Sequence, residues 1–123
     1  MAVIERGFMH IKNFKQGDRL YLSFEVIGYD LTDKELAMDI KRNGNSSPLV
    51  RFSSEATPPT IFSTYNAGED KWFVTLDQTS LVMKALRPGS YVFDIEAYST
   101  DEDTQTFIDG RISVVAEITK RDK

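Results

Sequence analysis

Apolar and polar residues alternate along much of this chain, and turn-forming residues separate the alternating stretches. Across residues 18–27, Leu20, Leu22, Phe24 and Val26 fall on one side, and Arg19, Tyr21, Ser23 and Glu25 on the other. A repeat of two marks a strand, because successive side chains of an extended chain point to opposite faces. Gly28 and Asp30 interrupt the pattern. Residues 35–42 resume it with Leu36, Met38 and Ile40 inward, and Asn43-Gly44-Asn45 closes the segment with a pair suited to tight turns. Residues 49–52 and 60–65 read as short strands. Pro58-Pro59 between them belongs in a loop or at an edge, since proline has no N–H to give a ladder. The number of strands between residues 46 and 70 stays open.

The second half is more regular. A turn at residues 66–70 leads into a strand over 71–76, with Trp72, Val74 and Leu76 on one face. Residues 77–86 do not alternate. Leu81, Met83 and Leu86 behind an Asp/Thr/Ser cluster predict one short helical turn, and Arg87-Pro88-Gly89 then turns the chain. Residues 90–98 form the strongest strand, with Tyr91, Phe93, Ile95 and Ala97 inward. Residues 100–103 read as a polar hairpin tip. A final strand runs over 104–118 with Ile112, Val114, Ala116 and Ile118 inward. Gly110 inside it is read as a bulge rather than a turn, because residues 100–103 already supply the turn. The sum is an all-β fold, an antiparallel sandwich with one short helical turn.

A length of 123 residues fits a single domain with a core of its own. With no cysteine, disulfides, thiolate chemistry and cysteine-ligated zinc are excluded together. The net charge of −4 opposes nucleic-acid binding, which needs a basic footprint. Lys120, Arg121 and Lys123, broken by Asp122, read as a solvated tail. The first six residues lack the apolar core of a signal peptide, and no apolar run is long enough to span a membrane. The expected setting is a cytoplasm, with no membrane contact.

Candidate chemistry is sparse. His10 is the only histidine, without a second ligand beside it, and reads as a surface or edge residue. No strained nucleophile turn and no phosphate-cradling glycine loop is present. Asp101, Glu102 and Asp103 lack the alternation of a calcium loop. Asp94 and Glu96, two apart on one strand, are explained by alternation alone. No catalytic residue and no cofactor or metal is expected. Trp72, Tyr65, Tyr91 and Phe93 could form a sugar platform but fit core positions by alternation. Tyr21, Phe73 and Tyr98 fall on outward faces and are candidates for a contact surface. Residues 8–14 carry Phe8, Met9, Ile11 and Phe14. They are read either as an edge or arm available for assembly or as a strand paired within its own sandwich.

The order of these segments resembles a family of small tail- and baseplate-associated phage proteins with an immunoglobulin-like fold, similar to the N-terminal domain of the baseplate upper protein. The resemblance is carried by Gln16-Gly17-Asp18, Asp30-Leu31-Thr32 and Met38-Asp39-Ile40-Lys41-Arg42. It continues through Leu86-Arg87-Pro88-Gly89-Ser90-Tyr91-Val92-Phe93-Asp94-Ile95-Glu96 and ends with residues 110–119. It covers nearly the whole chain in order and is weakest over 46–70. It implies an immunoglobulin-like sandwich and a non-enzymatic structural or adaptor role in the tail, baseplate or fibre-attachment region of a virion. Other phage structural proteins would be its partners, with self-association left open. The alternatives are a module recognising a host-surface glycan or protein, and a bacterial immunoglobulin-like domain of prophage origin.

Overall fold

The computed structural model describes residues 7–99 and 104–117. The hairpin tip at 100–103, Ile118 and the basic tail with Lys120 lie outside the described residues. Eight strands and one helical turn follow in chain order: β1 (Gly7–Lys15), β2 (Leu20–Val26), β3 (Glu35–Lys41), β4 (Val50–Ser53), β5 (Ile61–Asn66), β6 (Lys71–Gln78), α1 (Ser80–Met83), β7 (Gly89–Tyr98) and β8 (Thr104–Val115). They form a five-stranded sheet in the order β1-β8-β7-β3-β4 and a three-stranded sheet in the order β2-β6-β5. All pairs are antiparallel except β1 with β8, which is parallel. The expected antiparallel sandwich is therefore corrected at that one ladder.

The core lies where the inward faces of the two sheets meet, as alternation requires. Leu36, Met38 and Ile40 of β3, Tyr91, Phe93, Ile95 and Ala97 of β7, and Val74 and Leu76 of β6 are all buried. The open stretch between 46 and 70 holds two strands, one in each sheet: β4 pairs with β3, and β5 with β6. Pro58 and Pro59 sit in the loop between them, off both ladders. That crossing is held by Thr60, whose N–H donates to the Ser53 carbonyl at 3.1 Å while its hydroxyl accepts from the Ser53 N–H at 2.8 Å.

Three details of the sequence reading change. The final strand stops at Val115, and Ala116 is exposed rather than inward. Leu81 of α1 is exposed, so only Met83 and the following Leu86 plug the end of the sandwich, with Thr79 capping the turn through its side chain. Gly110 is neither bulge nor turn. The bulge falls at Phe107, where Ile95 pairs with Ile108 but Glu96 pairs with Thr106. Gly110 is a close-approach site: a Cβ there would lie 2.6 Å from the Met9 carbonyl oxygen and against the Phe93 ring.

The turn into β7 needs its glycine, since Gly89 has φ 150°. It is fastened from inside by Tyr91, whose hydroxyl donates to the Arg87 carbonyl at 2.7 Å. The ring is buried and the Arg42 guanidinium lies 5.4 Å from its centroid. Tyr91→Phe keeps the ring and removes only the donor. It is expected to lower stability by about 1 kcal/mol, read as a shift of the urea midpoint at constant slope.

Candidate binding surface

Each residue assigned from sequence to a contact surface can now be placed. β1 lies within its own sandwich, with one edge on β8 and the other open. Gly7 to Ile11 run in register with Ile108 to Ile112, and the register shifts before Phe14, where Asn13 takes φ 57°. Met9, Ile11 and Phe14 are half-buried and pack against the core. Phe8 alone faces solvent, 71% exposed. The arm is thus largely absorbed into the fold. His10 lies on the outer face of this strand, where Nε2 is 2.8 Å from the Ser113 hydroxyl.

Tyr21 and Phe73 share the outer face of the three-stranded sheet with Phe62, because Phe62 pairs with Thr75 and Ser23 does so from the other side. The Ser23 and Thr75 hydroxyls bond at 2.8 Å between the rings. Charge pairs frame the face. Arg19 reaches Asp77 at 2.8 Å with its guanidinium 4.8 Å from the Tyr21 ring centroid, and Lys71 reaches Glu25 at 3.0 Å. Tyr98 lies across the molecule, on the outer face of the five-stranded sheet. The outward aromatics therefore make two surfaces, not one.

The Tyr98 hydroxyl donates to the Glu55 carboxylate. That bond, together with burial and the charges of Glu55, Glu35 and Glu96, pushes its pKa up to about 12 from the usual 10.0. The folded pKa lies above the unfolded one, so the contribution of this pair to stability is complete below the unfolded value. It is lost as pH rises through the folded one. A spectrophotometric titration is expected to show Tyr98 among the late-ionising tyrosines, and Glu55→Gln to bring that one back toward the ordinary range.

Cross-strand register produces a feature that linear spacing hides. Asp39, Asp94 and Asp109 stand side by side on the outer face of the five-stranded sheet, on β3, β7 and β8. Like charges directly opposite one another are unfavourable, and Arg51 offsets one of them, 3.6 Å from Asp39. Glu96 nearby has its pKa raised, first by burial and then by Asp94 and Asp39. Among the described residues, no group of three or more His, Asp or Glu side chains is arranged to hold a metal ion.

A cleft of about 500 Å³ opens at one end of the sandwich, between the β2–β3 loop and the β5–β6 hairpin. Its walls carry Tyr29, Asp30, Thr32, Tyr65, Asp70 and Trp72. Alternation had assigned Tyr65 and Trp72 to the core. Their face is right: Val26, Trp72 and Tyr65 form one row across the three strands, on the inner side with Val74 and Leu76. The row lies at the end of the sheet, however, and exposure rises along it from the buried Val26 to Tyr65. Trp72 is half-buried and Tyr65 is 45% exposed, which corrects the core assignment of Tyr65. The two rings are 5.1 Å apart and tilted by 49°. Tyr29 is fixed by stacking on Phe107 at 4.8 Å and by donating to Gln105 at 3.1 Å, and burial raises its pKa.

The carboxylates of the cleft are held in place. Asp30 Oδ1 accepts from the Thr32 hydroxyl at 2.6 Å and the Thr32 N–H at 2.9 Å, and these bonds lower its pKa. Asp70 accepts from the Tyr65 hydroxyl, and this bond, ahead of burial and the Asp70 and Asp30 charges, raises the pKa of Tyr65. The molecule is thus an all-β, two-sheet sandwich with an aromatic outer face and an aromatic, acidic cleft. Compared with protein-family models and with curated proteins, the sequence matches none.

Proposed function

We propose that this chain is a non-enzymatic, immunoglobulin-like module that serves as a structural or adaptor component of a phage tail, baseplate or fibre-attachment region. The observation that carries the immunoglobulin-like reading is the strand order closed by Tyr91. In immunoglobulin-like sandwiches a B-E-D layer faces a C-F-G layer. A tyrosine near the start of strand F bonds back to the backbone a few residues upstream. Here β2-β6-β5 faces β4-β3-β7-β8, and Tyr91, just inside β7, bonds to Arg87. The phage role rests on the family resemblance of the segments around these elements. It is supported by open strand edges and by solvent-facing Phe8 and Tyr21, which suit contacts with neighbouring structural proteins or further copies. A virion location follows from the same reading.

The test is mass spectrometry of phage particles purified from the strain that carries the gene. Peptides of this chain are expected to co-sediment with intact particles and to stay with tails after capsids are removed. Absence from particles that are complete and infectious would overturn the proposal.

A further inference from the structure

We propose that the cleft between the β2–β3 loop and the β5–β6 hairpin is a carbohydrate subsite that takes one uncharged pyranose unit. The inference goes beyond a structural role and does not depend on where the chain resides. It starts from Trp72 and Tyr65, inner-face residues paired at the end of the three-stranded sheet, where Trp72 is half-buried and Tyr65 is 45% exposed beside the buried Val26. Rings that alternation aims at a core are here held at an open mouth. Tilted at 49°, the two rings make a trough rather than a stacked pair. The C–H face of a pyranose is the flat, weakly apolar surface that such rings accept, while its rim of hydroxyls needs fixed polar partners.

Those partners are present. Asp30 uses one oxygen for both Thr32 bonds, and its other oxygen is bonded to no described residue. Asp70 likewise spends one oxygen on the Tyr65 hydroxyl. Each carboxylate is therefore oriented by the protein and keeps an oxygen with which to accept from sugar hydroxyls. A charged acceptor makes a stronger hydrogen bond than a neutral one. The volume of about 500 Å³ lies within the range of small-ligand sites. The charge of the cleft sets the ligand class. Asp30 and Asp70 face it, and Lys71 at the hairpin base is engaged by Glu25 at 3.0 Å. This excess of carboxylate repels uronates and phosphorylated sugars and leaves neutral ones.

Trp72 is the only tryptophan of the chain, so intrinsic fluorescence reports this cleft directly. The protein is titrated with glucose, galactose, N-acetylglucosamine and glucuronate. A saturable change is expected with at least one neutral sugar, with a Kd of roughly millimolar order for a single unit, and none with glucuronate. Tyr65→Ala and Asp30→Asn are each expected to weaken binding about tenfold or more, while Leu81→Ala, on the exposed side of α1 beyond the other end of β6, leaves it unchanged. Melting curves check each variant. Asp30→Asn is isosteric and keeps the acceptor for Thr32, so it decides the matter if Tyr65→Ala does not fold. Silence with all three neutral sugars would overturn the proposal. So would binding that persists in Asp30→Asn, or tighter binding of glucuronate. Capture of a protein partner lost in Tyr65→Ala, with sugars silent, would reassign the cleft to protein recognition.

Discussion

Phe93→Ala is expected to destabilise the protein by about 3–5 kcal/mol, the range for truncating a fully buried phenylalanine. The side chain is 4% exposed. It stands on the strand with ladders on both sides, opposite Ile40 of β3 and Gly110 of β8. Collapse would be the way to soften such a loss, and both ladders resist it. Gly110 brings no side chain of its own to fill the space. A domain of this kind holds roughly 5–15 kcal/mol in all, so the variant should unfold at a far lower denaturant concentration with an unchanged slope. A midpoint indistinguishable from that of the parent would place the ring outside the core.

The second large effect is on the other side of the same contact. Gly110→Ala adds one methyl group, in a position 2.5 Å from Phe93 Cε1, closer still to Phe93 Cζ, and 2.6 Å from the Met9 carbonyl oxygen. Both neighbours are held by the fold. The carbonyl belongs to the strand that pairs with β8 at this point, Met9 opposite Gly110, and the ring is wedged in the core. Overpacking of this sort costs about 1–3 kcal/mol, and the backbone contact puts the expected value near the top of that range, about 3 kcal/mol. The two changes should not add. With Phe93 already alanine, the new methyl group meets only the carbonyl, so a double-mutant cycle should show a coupling of about 1–2 kcal/mol. Simple additivity would mean that the ring and the glycine do not share this space.

These paired sites show what the chain discloses in linear form. Tyr91, Phe93, Ile95 and Ala97 can be assigned inward because period two is a property of the strand itself. The same is true of Leu36, Met38 and Ile40, all buried as expected. Gly110 could not be understood that way, because its reason is a ring and a carbonyl far off in sequence. The parallel pairing of β1 with β8 is hidden for the same cause: alternation gives a face but neither a partner nor a direction. Tyr65 shows a subtler limit. Its face was legible, but burial depends on how far the opposite sheet reaches, which no local pattern encodes. The cleft was therefore visible only as its separate parts, Tyr65 and Trp72. The acidic side chains Asp30 and Asp70 carried no spacing signal, since a loop and a turn from different parts of the chain bring them together. The row Asp39, Asp94 and Asp109 arises from register in the same manner.

The ladder between β1 and β8 also constrains the order of events as the chain is made. Among the described strands β1 pairs only with β8, so its His10 must wait for Arg111. On a ribosome, Met9, Ile11 and Phe14 emerge before β8 and find no partner strand until it has followed. Pairings so distant along the chain are slow, because loop closure is unfavourable before any contact offsets it. The other strands can assemble around β7 while β1 is still loose. During that interval the flank of β8 is a strand edge with unpaired backbone groups, the kind of edge that folded proteins normally cover.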